Sequence, residues 1–385
     1  MGTRPRGVLR SVFLLLLILA ASAAVGVAHY VLRTGRVPEV PRAASQALRQ
    51  VKESLGDTLD KAKPASPALP ALQVRSGAAG DVRVFFAPSQ ALNPFGIDHA
   101  FLRFLERAEH AICAALYEVQ FERAAEVLIA KHEAGVRVAI VSDSDYRDRE
   151  AVRACIRAGI PVVFDERSAY MHNKFCVVDD AHVWTGSTNA TQNGLFKNNN
   201  NAVLIASEQL AANYTTEFEE MFQLGRFGKG GPAETPFPRL VVAETDVECY
   251  FAPEDHVRRE IIDEIEAADT AIDFMAFSFT SSEIAKAMAA RIQDGVVVRG
   301  LFEKRQAGSK HSQDEWLAQR GARIGLDTNK HNMHHKVIII DTETVITGSY
   351  NFSQSAETRN DENVLILHSP DVARKYRDEF ESLLP

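Results

Sequence analysis

The sequence predicts two similar α/β lobes packed together around one site, preceded by an apolar amino-terminal segment. Three observations carry that prediction. The polar pattern H-x-K-x-x-x-x-D followed by G-S-x-N occurs twice, in MHNKFCVVDDAHVWTGSTN (Met171 to Asn189) and MHHKVIIIDTETVITGSYN (Met333 to Asn351), and every matched residue stands 162 positions after its counterpart. Chance does not hold one offset across a His, a Lys, an Asp, a Gly, a Ser and an Asn, so the chain carries an internal duplication. Each half opens on a strand-like segment ending at proline, VRVFFAP from Val82 and VECYFAP from Val247. Both halves then alternate helical and strand patterns, which implies a sheet with helices packed on it.

The elements follow in chain order. Arg4, Arg6 and Arg10 precede an apolar run near Val12 to Ala28, so residues 1–35 read as a signal anchor or a cleaved signal peptide. Basic residues lie on both sides of the run and leave its orientation open. Residues 36–80 are rich in Ala, Pro, Ser and charge and read as a flexible linker, within which Ala44 to Ala62 suits one amphipathic, solvated helix. The first lobe is expected over 81–224 and the second over 241–385. Between them, residues 225–240 hold glycines and prolines without a hydrophobic period and read as the connection.

In each lobe the opening strand leads to a helix (His99 to Ala108; Val257 to Ala268) and a buried strand (Ala111 to Tyr117; Ala271 to Phe277). A helix ending at Gly135 or Gly295 and a further strand come next. Of 385 residues, 46% are hydrophobic and 24% charged, which lets each lobe bury its own core. The net charge of −8 argues against a broad basic surface that coats nucleic acid, while leaving room for a local basic cleft. Cys113, Cys155, Cys176 and Cys249 show no C-x-x-C spacing and read as buried free thiols.

The β-branched residues of the two motif segments favour strands. Side chains alternate on a strand, so His172 and Lys174 share one face, as do His334 and Lys336, and His335 points the other way. A metal site built from His331, His334 and His335 is thereby disfavoured, and no metal or cofactor is expected. A two-residue hairpin at Asp180-Ala181 pairs residues whose numbers sum to 361; it sets Ser187 across from Lys174 and Asn189 across from His172. A turn at Thr342-Glu343 gives a sum of 685 and pairs Lys336 with Ser349 and His334 with Asn351. One polar cluster of His, Lys, Ser and Asn per half results.

Imidazole, ammonium and amide supplied twice suit attack on a phosphodiester, where negative charge grows on the equatorial oxygens. One histidine attacks phosphorus while the other protonates the departing oxygen and later takes a proton from water. The clusters are expected to face each other across the lobe interface, in a chain active as a monomer. Tyr117-Glu118 and Phe277-Ser278 end matching strands near that cleft, where substrate contact and strand-end packing are equally open.

These residues resemble the paired HKD signatures of the phospholipase D superfamily, over about residues 82 to 382. The resemblance implies a pseudo-symmetric two-lobe fold with one interfacial active site and a covalent phosphohistidine intermediate. It implies His172, Lys174, Asn189, His334, Lys336 and Asn351 as catalytic positions, with Asp179 and Asp341 mainly structural. Family members carry an acidic residue after each motif that hydrogen-bonds a catalytic histidine. Glu362, 28 residues after His334, suits that role, and its counterpart at the 162 offset is Asn200. Asparagine orients an imidazole without stabilising its cation as a carboxylate does. Glu362 is therefore expected to raise the pKa of His334, making it the general acid, with neutral His172 as nucleophile. The reverse assignment stays open, because a carboxylate also stabilises a cationic phosphohistidine.

The same machinery serves hydrolysis of a phospholipid headgroup, lipid transfer of the cardiolipin synthase kind, or cleavage of nucleic acid. Membrane targeting and negative net charge favour a phospholipid substrate and a membrane-anchored or secreted protein with its catalytic part outside the cytoplasm. Nucleic acid is the alternative, since HHKVIIIDTETVITGSYNFSQSAETRNDEN resembles the compact endonuclease and cardiolipin-hydrolase branch. A binding module without activity would have lost a motif His or Lys, and both copies keep them.

Overall fold

The computed structural model describes residues 82–89, 93, 95–229 and 234–385. The apolar segment and the whole linker of residues 36–80, including the helix expected from Ala44 to Ala62, lie outside the described residues. Among the described residues no helix is long and apolar enough to cross a membrane.

The first lobe runs β1 (Val82–Ala87), α1 (Ile97–Glu106), β2 (Ala111–Leu116), α2 (Glu122–Glu133), β3 (Arg137–Ser142), α3 (Glu150–Arg157), β4 (Val162–Phe164), β5 (Lys174–Val178), β6 (His182–Gly186), α4 (Gln192–Phe196), β7 (Asn200–Ala206) and α5 (Glu208–Leu224). The second runs β8 (Arg239–Val242), β9 (Thr245–Ala252), α6 (Val257–Glu266), β10 (Ala271–Ala276), α7 (Ser282–Gln293), β11 (Val297–Phe302), α8 (Asp314–Ala318), β12 (Arg323–Leu326), β13 (Lys336–Ile340), β14 (Thr344–Gly348), α9 (Gln354–Thr358), β15 (Glu362–His368) and α10 (Pro370–Leu383).

The sheets have the orders β1-β7-β6-β5-β2-β3-β4 and β12-β11-β10-β13-β14-β15-β9-β8, one topology repeated with β8 added at an edge. The β2–β3–β4 and β10–β11–β12 pairings are parallel, and the others antiparallel. The chain is thus a mixed α/β protein of two lobes.

The apolar pattern explains how the sheets stack. In β5, Phe175 and Val177 enter a central core shared by both lobes, while Cys176 and Val178 enter an outer core under α1 and α2. In β13, Val337 and Ile339 face the centre, and Ile338 and Ile340 the second outer core. Strands covered on both faces need apolar residues at every position, hence the runs FCVV and VIII. Helices α5 and α10 contribute Tyr214, Phe218, Tyr376 and Phe380 to the central core. Each is started by a serine whose hydroxyl accepts a backbone N–H, Ser207 from Leu210 and Ser369 from Val372. All four cysteines are free and buried, and burial pushes the thiols of Cys155 and Cys113 up to about 11 and about 12.

The hairpin register differs from the sequence expectation by one residue. Val178 pairs with His182 and Cys176 with Trp184, while Ile340 pairs with Thr344 and Ile338 with Ile346, so each loop has three residues. Ser187 therefore does not lie across from Lys174, nor Asn189 from His172, Ser349 from Lys336 or Asn351 from His334. Asp179 and Asp180 (φ 53° and 51°) and Asp341 and Thr342 (φ 51° and 60°) take left-handed conformations that extend the turn. The carboxylates of Asp179 and Asp341 hold it there by accepting from the backbone before β2 and β10. Three N–H groups bond to Asp179, those of Glu109, His110 and Ala111, and three to Asp341, those of Asp269, Thr270 and Ala271. A slip of one residue exchanges the faces of a strand, so the polar clusters must be assembled differently.

Candidate active site

Each motif enters its strand through a strap to the opposite lobe. Met171 bridges Asp361, and Met333 bridges Asn199. His172 N donates to Asp361 O at 3.0 Å and His334 N to Asn199 O at 2.8 Å. Within their own lobes, Asp143 and Glu303 accept from the N–H groups of Met171 and Met333. Residues that open β7 and β15 are thereby delivered to the other lobe's histidine.

That delivery corrects the expected pairing. Glu362 contacts His172, with Nδ1 to Oε2 at 2.7 Å, and His334 Nδ1 instead lies 2.8 Å from Asn200 Oδ1 and 3.1 Å from Ser187 O. Facing oxygen acceptors, both Nδ1 atoms carry the proton, which leaves both Nε2 atoms free for chemistry. The orientation of Asn200 follows from its neighbours: its Nδ2 donates to Gly194 O (3.0 Å), so Oδ1 faces His334 and the Ser187 hydroxyl.

The serines of G-S-x-N act on these partners. Ser187 donates to Asn200 Oδ1 (3.0 Å) and Ser349 to Glu362 Oε2 (2.6 Å). Each also accepts from the backbone N–H of the next residue, Asn201 or Asn363, at 3.0 Å. The glycines make this approach possible. Gly186 and Gly348 have φ of 141° and 153°, and a Cβ there would meet Asn201 O at 2.5 Å or Asn363 O at 2.2 Å. Asn189 and Asn351 follow, half-buried, each with its Oδ1 without a hydrogen-bond partner.

Lys174 and Lys336 are fully buried and donate to the carbonyls of their own motif histidines, at 2.5 and 2.8 Å. Tyr117 covers both His172 (ring centroids 4.8 Å apart) and Lys174 (4.8 Å), and Phe277 covers His334 (4.8 Å) and Lys336 (5.0 Å). The strand-end aromatics therefore pack on the candidate catalytic groups, while Glu118 pairs with Arg149.

Burial lowers the pKa of His172 to about 4, with Lys174 and Lys336 adding to the effect and Glu362 opposing it. Burial also holds His334 well below the usual histidine range, helped by both lysines and by His172, so it is not raised by Glu362. Lys174 falls to about 7 through burial, and Lys336 well below its ordinary value through burial and Lys174. Burial alone would raise Glu362, yet His172, Lys174 and the Ser349 hydroxyl hold it below the usual range. The two buried lysines are short of nearby negative charge, and an oxyanion between them would supply it.

Behind the histidines lies a second polar layer that motif reading missed. Asn363 Nδ2 donates to Asn173 Oδ1 (2.8 Å), and Asn363 Oδ1 accepts from Thr185 and Tyr214. In the symmetric position Asn201 Nδ2 meets His335 Nδ1 (3.0 Å), and Asn201 Oδ1 accepts from Thr347 and Tyr376. Asn173 Nδ2 points at Glu217 (3.3 Å) as His335 Nε2 points at Glu379 (3.4 Å). His335 thus copies an asparagine, accepting at Nδ1 and presenting Nε2–H, and it faces away from the cleft. Thr185, Asn201, Tyr214 and Glu217 each recur 162 positions later, a signal that could have revealed this layer. Among the described residues, one His/Glu grouping has converging donor atoms, Glu248, Glu264 and His368, in the second lobe, and Glu248 there already accepts from Tyr250 and Arg239.

The family model described as "Cardiolipin synthase, PLD-like domain" matches residues 101–222 and 261–384, one segment in each lobe. The chain belongs to the phospholipase D-like family. It is similar to the phospholipase D of Rickettsia prowazekii (strain Madrid E), 35% identical over 135 residues, which are 35% of this chain and 66% of the relative. Similarity to the mitochondrial cardiolipin hydrolase of Chlamydomonas reinhardtii is 30% over 135 residues, 35% of this chain and 60% of that one. The chain thus spans just under two thirds of the length of these curated relatives. The crystal structure of a phosphatidylserine synthase from Haemophilus influenzae Rd KW20 covers 78% of this phospholipase D-like chain and 86% of its own, with a TM-score of 0.61 at 14% identity, a likeness of fold alone.

Proposed function

We propose that the protein is a phosphodiester hydrolase that cleaves a phospholipid headgroup ester through a phosphohistidine on His172. The observation that carries this reading is the exchange of partners across the interface, which fixes two imidazoles by Nδ1 and leaves two Nε2 atoms beside two buried lysines. His172 Nε2 attacks phosphorus, and the positive charge its ring then acquires is met by Glu362. His334 protonates the departing oxygen from Nε2. Its low pKa rises once the substrate's anionic phosphate lies between Lys174 and Lys336, so the substrate itself brings the acid into its working form. Water then attacks the phosphohistidine, His334 takes its proton, and the P–N bond breaks to release the phosphate monoester and free His172.

The roles first expected of the two histidines are kept for a different reason: the carboxylate serves the nucleophile. Lys174, Lys336, Asn189 and Asn351 are read as the groups that hold the equatorial oxygens, so the reaction is expected to run in the presence of chelator. Relatives named phospholipase D and cardiolipin hydrolase, together with the net charge of −8, support lipid as substrate. The amino-terminal run is read as membrane anchor or export signal, and the catalytic part as a monomer. Protein lacking residues 1–35 should release headgroup from liposomes with chelator present, and its His172→Ala and His334→Ala forms should not. Degradation of single-stranded DNA with every lipid left intact would replace this reading with a nuclease.

A further inference from the structure

At the end of β15 remote from the cleft, an imidazole and two carboxylates come together. His368 closes that strand, Glu248 lies on the neighbouring β9 and Glu264 on α6, and one donor atom from each falls within 4.8 Å of the others. β15 begins at Glu362, which orients His172, and ends at His368. Six steps of strand, roughly 20 Å, therefore separate this group from the catalytic residues. The fold does not call for it either. The first lobe has the same strands and helix, with Arg83, Phe104 and Ala206 at the matching positions. Three separate segments thus differ together at one point in space.

Spacing and partners distinguish a metal site from an ion pair. His368 Nε2 lies 3.3 Å from Glu248 Oε1, against 2.7 Å between His172 and Glu362. A charge-assisted hydrogen bond is usually about 2.7–2.9 Å long. Two donor atoms on one tetrahedral zinc ion, with bonds of about 2.0–2.2 Å, stand roughly 3.4 Å apart. The outer contacts are also those of ligands. His368 Nδ1 is 2.9 Å from Thr344 Oγ1, while Glu248 Oε2 accepts from Tyr250 and from Arg239 (3.2 Å), which leaves Oε1 turned towards the imidazole. Metal-bound imidazoles and carboxylates are held in place by such second partners. Among the described residues Glu264 accepts no hydrogen bond and joins no ion pair. A surface groove of about 610 Å³, lined in part by Glu248, His368 and the exposed Asp246, opens the group to solvent.

We propose that Glu248, Glu264 and His368 bind one zinc ion, with water in the fourth position, as a clasp that joins β9, β15 and α6. In it the Thr344 hydroxyl accepts from His368 Nδ1–H, and the Nε2 lone pair takes the metal. One imidazole with two carboxylates suits zinc, whereas calcium asks for six to eight oxygens. The two carboxylates match the charge of the ion, and Asp246, across from His368 in the sheet, adds to the attraction. The clasp takes no part in the hydrolysis, which is expected to run in chelator while the metal is stripped away.

The test titrates zinc chloride into the full chain, held in nonionic detergent and freed of metal by dialysis against chelator, with the heat of binding as readout. One zinc should bind per chain with a micromolar or lower Kd. His368→Ala, which copies Ala206 of the first lobe, and the isosteric Glu264→Gln should each weaken binding by about a hundredfold or more, and Thr344→Val by about tenfold. Combined His172→Ala and His334→Ala should leave it unchanged, which sets the cleft histidines aside. One equivalent of zinc should also raise the melting temperature of the native protein and not that of Glu264→Gln. A native chain that takes up no zinc overturns the site, as does native affinity in both His368→Ala and Glu264→Gln. Binding lost only when the cleft histidines are replaced overturns it too, by placing the metal elsewhere.

Discussion

Replacing Glu362 by Gln isolates what the carboxylate does for His172. Glu362 is fully buried and accepts three hydrogen bonds, from His172 Nδ1 (2.7 Å), Ser349 Oγ (2.6 Å) and Asn360 Nδ2 (3.0 Å). Glutamine keeps the shape and loses the charge, and its amide nitrogen must face one of three donors. A hydrogen bond to a charged group contributes about 1.5–3 kcal/mol against about 1 kcal/mol for a neutral one, so the cationic states of His172 lose about 1–2 kcal/mol. Phosphohistidine formation should slow by about 5–30-fold, towards the upper end because of the misdirected amide. Ser349→Ala removes one neutral donor and should cost less.

The assay is single turnover of bis(p-nitrophenyl) phosphate, read as the p-nitrophenol burst, with acid-quenched protein analysed for the phosphorylated residue. A burst rate within about twofold of native in Glu362→Gln, less than about 0.4 kcal/mol of barrier, would refute the role given to the carboxylate. Phosphate trapped on His334 would refute the assignment of the nucleophile.

Three further outcomes are expected. Asp341→Ala should lower stability by about 1–3 kcal/mol in denaturant titrations, discounted for partial exposure, and leave kcat near native, whereas a large fall in kcat would make the residue catalytic. The Asp341 carboxyl is held below its usual range by the N–H groups of Asp269 and Ala271 and by Thr270 against the opposing effect of burial. Its contribution is therefore present above its unfolded value near pH 4, is lost as pH falls through the lower folded value, and should be missing from the acid limb of the variant. His335→Asn should melt close to native, because Asn173 already does the same job in the other lobe, and His335→Leu should lose about 1–3 kcal/mol by removing the partner of the buried Asn201 amide; equal melting of the two variants would contradict the account. Because burial brings Lys174 down to about 7, at pH 8 only about a tenth of it is charged before an anion binds. Binding of inorganic phosphate or tungstate at pH 8 should then take up at least about one proton, with Lys336 and His334 adding to the uptake, measured by calorimetry in buffers of different ionisation enthalpy. Binding without uptake would mean that both lysines are charged beforehand.

The duplication made the lobes and the polar residues legible, since a constant 162 offset survives however the chain folds. The hairpins were not legible to one residue. Neither Asp179-Asp180 nor Asp341-Thr342 carries the glycine that marks left-handed turns, and their conformation is held by bonds to residues about seventy positions away. A register deduced from the strands alone assigns Ser187 and Ser349 to the lysines. In the fold they stand behind Asn200 and Glu362.

The exchange of partners is a deeper case, because it concerns which copy of a repeat a residue serves. Glu362 follows His334 by 28 residues, and proximity along the chain suggests one lobe, one cluster. The bridges Met171–Asp361 and Met333–Asn199 reverse this, since the residues immediately before β15 and β7 are also the last contact with the other lobe before its motif strand begins. Each histidine is then oriented by a group it does not share a lobe with, so neither half-site is complete when the lobes are apart. The requirement ties the central core, with Tyr214, Tyr376 and the Asn201 and Asn363 amides, directly to the chemistry. It also lets the copies diverge: an asparagine for a glutamate and a phenylalanine for a tyrosine change the two ends of a single cleft without disturbing the shared backbone.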